Sequence, residues 1–472
     1  MENTELDWKK PTRKIVRYIN RIGFRDIPKE VVEYVKLLTL DSLANMIGGI
    51  ALEPARLVSE VFSAMAGRPE ATVFATGDKL PVCHAAYVNS YLANVLDFDD
   101  TYASMIGHPS ATVIPPALAM AEKTGSTGKE LLTACVAAYE VMLRISNAVL
   151  PTPERDQEVC GYSGKQIFGS VAAVCKLLKL DEQRISYAFG IAGHSAPVPA
   201  LRKEGMSPGE GPVGWIKNNY GWAAMGGMLS AILAEKGFVG NQYIFDGDRG
   251  FWIMSGSDQC HWPSFTQELG SRYLLKDIAF KPYATCRWTH AALDATIKII
   301  SSNQFKEEEI SGILVKSFGE AVMNLSEPVP DNSISAQFSL PYLIAITLLG
   351  NSPDQGLREE ELRNPRVAAL AQKVKIELWQ EADRAFREEA EIPASVAISL
   401  YNGERIEETV YIPRGDRRNP CTGEELLKKF HALVIPVLGE IKAGRLEEVV
   451  WDLENLEDIG KIYHIITGRK IR

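Results

Sequence analysis

Two kinds of hydrophobic pattern divide the chain. Over roughly the first 270 residues, apolar side chains return at helical spacing in Ala- and Leu-rich segments, several opening at Ser, Thr or Asp and closing near Gly. The spacing predicts helices over 31–50, 82–96, 112–123, 128–148, 168–178, 184–192 and 222–236. Thr127-Gly128-Lys129-Glu130 opens one of them, and Asp181 is placed to cap another. Small residues (Ala172-Ala173, Ala223-Ala224, Gly226-Gly227) allow close helix approach, so a bundle with buried helices is expected. After about residue 272 the period changes. Short β-branched runs occupy 312–317, 373–378 and 395–401, and Asn402-Gly403 turns the last of these into 404–410 as a hairpin. Helical stretches at 291–302 and 341–349 lie among them, and 424–472 returns to amphipathic helix that should pack back on the first part. The fold class is therefore mostly α. A large all-helical domain (1–272 and 418–472) carries a smaller α+β unit (273–417), inserted before the C-terminal helices.

Composition narrows the function classes. With 46% hydrophobic and 24% charged residues among 472, the chain is neither disordered nor fibrous. Its net charge of -9, from 51 Lys+Arg against 60 Asp+Glu, lacks the basic face that nucleic acid requires. No apolar run reaches the roughly 18 residues of a membrane span, and the first residues are acidic and polar, without a signal-type apolar region. Seven scattered cysteines with no C-x-x-C read as reduced thiols, so a cytoplasmic location is expected.

Two segments hold candidate chemistry. In 94–116, Asp97, Asp99 and Asp100 interrupt an apolar helix, Asp97 and Thr101 share a helical face, and a loop delivers Gly107-His108-Pro109-Ser110. This is either a solvated helix end with a backbone-satisfied histidine or an acid/base site. The spacing matches no H-E-x-x-H or facial-triad pattern, so no metal is expected. In 280–297, Lys281, Cys286, Arg287 and His290 converge where a helix begins, a ready place for an anion. The alternative leaves Lys281 exposed, Cys286 buried as a small hydrophobe and His290 as a capping residue. A G-x-G-x-x-G at 209–214 follows no strand and contains Pro212, so no dinucleotide cofactor is implied.

The sequence resembles the MmgE/PrpD family, which includes 2-methylcitrate dehydratase, cis-aconitate decarboxylase and iminodisuccinate epimerase. The resemblance rests on Leu40-Asp41-Ser42-Leu43-Ala44, Asp97-Phe98-Asp99-Asp100-Thr101 with Gly107-His108-Pro109-Ser110, and Gly221-Trp222-Ala223-Ala224. Lys281-Pro282-Tyr283 with His290-Ala291-Ala292-Leu293-Asp294, and Gln337-Phe338-Ser339-Leu340-Pro341-Tyr342, complete it in order. It implies that the α+β unit is a lid, that the site lies in the cleft beneath it, and that the protein is a homodimer. It also implies chemistry on di- or tricarboxylates without metal or cofactor.

Family site positions carry over as Asp97, Thr101, His108, Lys281, Cys286 and Tyr342, with Cys286 standing where the decarboxylases have a histidine. Ser163 and Asn219 stand where the family commonly has histidine, and Lys217 falls near a family lysine. The implied reaction removes a proton from carbon beside a carboxylate. His108 would be its acid/base, oriented by Asp97, and Lys281 would bind a carboxylate or act as the second acid/base. Thr101, Ser163 and Tyr342 would hydrogen-bond the substrate, with Lys217, Cys286 and Arg287 as further binding groups. The outcome would be a lyase (dehydratase or decarboxylase), or alternatively an epimerase of an amino- or hydroxy-polycarboxylate.

Overall fold

Why the first part folds as stacked helices is visible at its crossings. In the computed structural model, which describes residues 9–65, 67–102, 107–156, 158–159, 162–197, 213–215 and 218–468, the longer helices of this part run in chain order. They are α1 (Thr12–Arg21), α2 (Lys29–Gly48), α3 (Glu53–Ala64), α4 (Val82–Val95), α5 (Ser110–Thr124), α6 (Gly128–Ala148), α7 (Tyr162–Leu177), α8 (Glu182–His194) and α9 (Tyr220–Glu235). Helix α7 packs on both α6 and α9, and α9 packs in turn on α4. At the α7–α9 crossing, a Cβ on Gly227 would stand 2.7 Å from the Ile167 carbonyl oxygen, so only glycine permits that approach. Helix α6 begins at a capping box in which Thr127 and Glu130 satisfy each other's backbone N–H. It is long and apolar enough to cross a membrane, which the sequence reading did not anticipate, yet 94% of its apolar window is buried inside the protein.

A two-stranded ladder, β1 (Ala71–Thr72) with β2 (Lys79–Leu80), interrupts the helices before α4. Two-residue strands carry no readable alternation.

The second part builds one four-stranded mixed sheet. Its elements are α10 (His290–Ser302), β3 (Ile310–Ser317), α11 (Leu340–Leu348), β4 (Val374–Leu378), α12 (Gln380–Glu389), β5 (Ala394–Leu400) and β6 (Arg405–Val410). The strand order is β4-β3-β5-β6, with β3 parallel to β4 and antiparallel to β5. Val315 faces Ile376 on one side and Val396 on the other. Helix α10 covers β5 and β6, which is why β5 is buried almost throughout. Three tail helices follow: α13 (Gly423–Leu438), α14 (Glu440–Trp451) and α15 (Gly460–Thr467). Of these, α13 lies against α2 of the first part.

Candidate active site

Helix α4 ends at Val95, and two residues later Asp97 takes a left-handed conformation with φ 51°, one that short polar side chains tolerate best. Its N–H still donates to the Asn94 carbonyl at 2.9 Å. The turn aims both the carbonyl and the carboxylate of Asp97 at Lys281. The Lys281 Nζ donates to the Asp97 carbonyl at 2.7 Å and lies 3.2 Å from Oδ1. Lys281 is fully buried, and an isolated ammonium there would cost several kcal/mol. The segment that delivers it is fixed by a reciprocal pair: Thr101 N–H donates to the Ala279 carbonyl at 2.8 Å, and Ala279 N–H donates back at 2.7 Å.

His108 enters the same cluster. Its Nδ1 lies 3.2 Å from Asp99 Oδ1 and 3.0 Å from the Asp100 carbonyl oxygen, while Nε2 faces Asp97 Oδ1 at 3.6 Å. Tyr220, the first residue of α9, accepts the His108 N–H at 3.3 Å and sets its ring edge-on to the imidazole. With its amide oriented to suit its neighbours, Gln166 donates to the His108 carbonyl at 2.8 Å and accepts from the Tyr220 hydroxyl at 3.1 Å. Asn94 donates to both oxygens of Asp99, at 2.9 and 3.1 Å.

Asp100 sits beneath the start of α5, where the Ser110 N–H and hydroxyl donate to its two oxygens at 3.0 and 2.7 Å. Burial pushes its carboxyl well above the ordinary range and the neighbouring charge of Asp99 adds to this, against the pull of the Ser110 bonds.

The remaining predicted residues divide. Thr101 is buried beside the cluster, in the bridge to Ala279. Cys286 is half-buried; its N–H donates to the Gln337 carbonyl, and the Gln337 amide donates to the Val95 carbonyl, both at 2.9 Å, which ties this stretch to the end of α4. Tyr342 is not brought to the cluster, since its hydroxyl donates to the Gly356 carbonyl at 2.6 Å. Arg287 turns into the sheet unit, donating to the Arg414 carbonyl at 2.8 Å and lying 3.0 Å from His290 Nδ1. His290 serves no cap. It is buried, and burial together with the charges of Arg287 and Lys281 holds its ring well below the ordinary range, so it stays neutral. Lys217 and the side chain of Ser163 lie outside the described residues.

Sequence reasoning missed Lys429. From α13 its Nζ reaches Asp41 Oδ1 of α2 at 2.6 Å, donates to the Phe98 carbonyl and to the Lys281 carbonyl at 3.3 Å, and rests 4.0 Å from the centre of the Phe98 ring. Burial raises the Asp41 carboxyl and Lys429 opposes the shift. A lone aspartate inside the apolar helix α2 was the readable half of this pair. Spacing also hid a second feature: Asp97, Asp99 and His108 offer ligand atoms within 4.8 Å of one another. A metal ion there would have to displace or share with the Lys281 ammonium, which already supplies the cation that Asp97 faces.

A family model for the MmgE/PrpD N-terminal domain matches residues 13–262, and one for the MmgE/PrpD C-terminal domain matches 283–455. The chain belongs to the MmgE/PrpD family. Among curated relatives it is similar to cis-aconitate decarboxylase of Mus musculus, 26% identical over 98% of this chain and 95% of the relative. The Homo sapiens cis-aconitate decarboxylase is 25% identical, with 97% of this chain and 94% of the relative covered. That of Aspergillus terreus is 24% identical, with 96% and 95% covered.

Proposed function

We propose that the protein is a lyase, a dehydratase or decarboxylase, acting on a small di- or tricarboxylate by proton transfer at carbon beside a carboxylate, without metal. One observation carries this reading: His108 Nε2 and Lys281 Nζ flank the same oxygen of Asp97, at 3.6 and 3.2 Å. That places a proton carrier and a buried cation within one small volume. The imidazole takes or returns a proton at Nε2. The ammonium stabilises the charge that spreads onto the substrate carboxylate as the carbanion forms, the kind of preorganised electrostatics that contributes most to rate. In a decarboxylation, the electrons of the breaking C–C bond pass to carbon as CO₂ leaves, and the protonated His108 then supplies the proton. The names of the relatives favour that outcome.

A second reading, epimerisation, is supported by residues 286 and 219. Neither is a histidine, and Asn219 sits at φ 56° with a buried side-chain oxygen that has no hydrogen-bond partner. Incubation in D₂O with cis-aconitate, citrate, methylcitrate, malate and iminodisuccinate separates the outcomes. CO₂ release or double-bond absorbance is expected. Deuterium exchange with inversion and no leaving group would replace the lyase reading by the epimerase. Full turnover after exhaustive EDTA dialysis is expected as well, and loss restored by one divalent ion would overturn the metal-free part.

A homodimer is part of the same proposal. Leu57, Val61 and Met65 form an exposed apolar stripe on α3. Trp222 and Leu229 continue it on α9, across Tyr87 of α4, whose ring meets Trp222 edge-on. Such a face suits a second copy of this chain.

A further inference from the structure

We infer that Asp99 is the positioning residue that sets which nitrogen of His108 works. This deepens the acid/base reading of His108 and rests on it. Both groups beside Nδ1 are acceptors: the Asp99 carboxylate at 3.2 Å and the Asp100 carbonyl at 3.0 Å. The neutral ring therefore carries its hydrogen on Nδ1, and the lone pair falls to Nε2, the atom that faces Asp97 and the Lys281 ammonium.

Asp99 is held for this purpose. It is fully buried, and the Asn94 amide donates to both its oxygens, so the carboxylate is clamped between donors with its free edge toward the imidazole. Asp97, by contrast, is engaged by Lys281 and lies beyond hydrogen-bond distance of the ring. The two carboxylates thus have different tasks: Asp99 fixes the tautomer, while Asp97 anchors the cation.

An asparagine at position 99 would place an N–H between two donors, the Asn94 amide and the Nδ1–H. The ring would then have to move its hydrogen to Nε2 or swing away. The test is a two-bond ¹H–¹⁵N correlation spectrum of the full chain labelled in histidine, with His108 assigned by its absence in His108→Asn. In the unaltered protein the Nδ1 resonance should be of the protonated type and Nε2 of the unprotonated type. Hydrogen on Nε2 would overturn the inference, whatever reaction the enzyme performs. In Asp99→Asn the tautomer should shift and kcat should fall at least about tenfold, with KM changing less than kcat. A fall in kcat with the tautomer unchanged would overturn it, as would an unaltered kcat. Should that variant fail to fold, the spectrum of the unaltered protein still decides the question.

Discussion

Between residues 97 and 110, every polar side chain at the site meets another that also serves it: Asn94 holds Asp99, Asp99 and the Asp100 carbonyl hold His108, and Ser110 holds Asp100. Between residues 281 and 342, only Lys281 reaches across to Asp97, while Arg287 and Tyr342 spend their donors on carbonyls of their own unit. Both stretches contain the kinds of residue that recur at active sites. What separates them is where the buried donors end, and a motif residue whose donors end on local carbonyls is first of all part of the frame.

The largest effect should come from the 97–110 wall. His108→Asn is expected to lower turnover by about two to four orders of magnitude with the melting temperature nearly unchanged, as measured by steady-state kinetics beside calorimetry. A several-degree drop with turnover per folded molecule intact would make His108 a packing residue and dissolve the contrast.

Next in size is Lys429→Met, which strips the cation from buried Asp41 and from two carbonyls. It should cost about 3–5 kcal/mol in denaturant unfolding, and adding Asp41→Asn should restore part of it. Full additivity of the two losses would mean that Lys429 and Asp41 do not act as a pair.

Tyr342→Phe tests the opposite wall. Losing the bond to Gly356 should cost roughly 1 kcal/mol of stability and leave turnover within about tenfold. A loss as deep as that of His108→Asn would place the phenol on the substrate after all.

The smallest effect belongs to Asp100. Its folded carboxyl titrates above its ordinary 3.8, so the folded state holds a proton that the unfolded chain has released. Its contribution to stability therefore falls as pH rises above 3.8. Asp100→Asn should remove that slope, and the difference between the two stability–pH curves checks the sign.

Legibility in the sequence follows the range of the interaction. Helix α6 is readable to the residue at both ends, Gly128–Ala148, because Thr127 and Glu130 announce its start and its apolar residues keep the period. The β5–β6 hairpin is readable because Asn402-Gly403 supplies the turn, with Gly403 at φ 90°. Asp97, His108 and Lys281 stand out as polar residues in apolar surroundings, so the centre of the site could be nominated from motifs. Lys429 could not, since it lies 331 residues from Phe98 on a helix that looks like any amphipathic tail. Nor could the inward turn of Arg287, which depends on a carbonyl 127 residues away.

The grip of Lys429 on the backbone of Lys281 has a consequence for biosynthesis. The ribosome makes Lys429 148 residues after Lys281, and long after both stretches of the Asp97–His108 loop. Until α13 emerges, Asp41 has no cation, and the carbonyls of Phe98 and Lys281 lack the donor that draws them together. A nascent chain can therefore fold much of its helical bundle while remaining without a finished site, and activity begins only once the tail has docked.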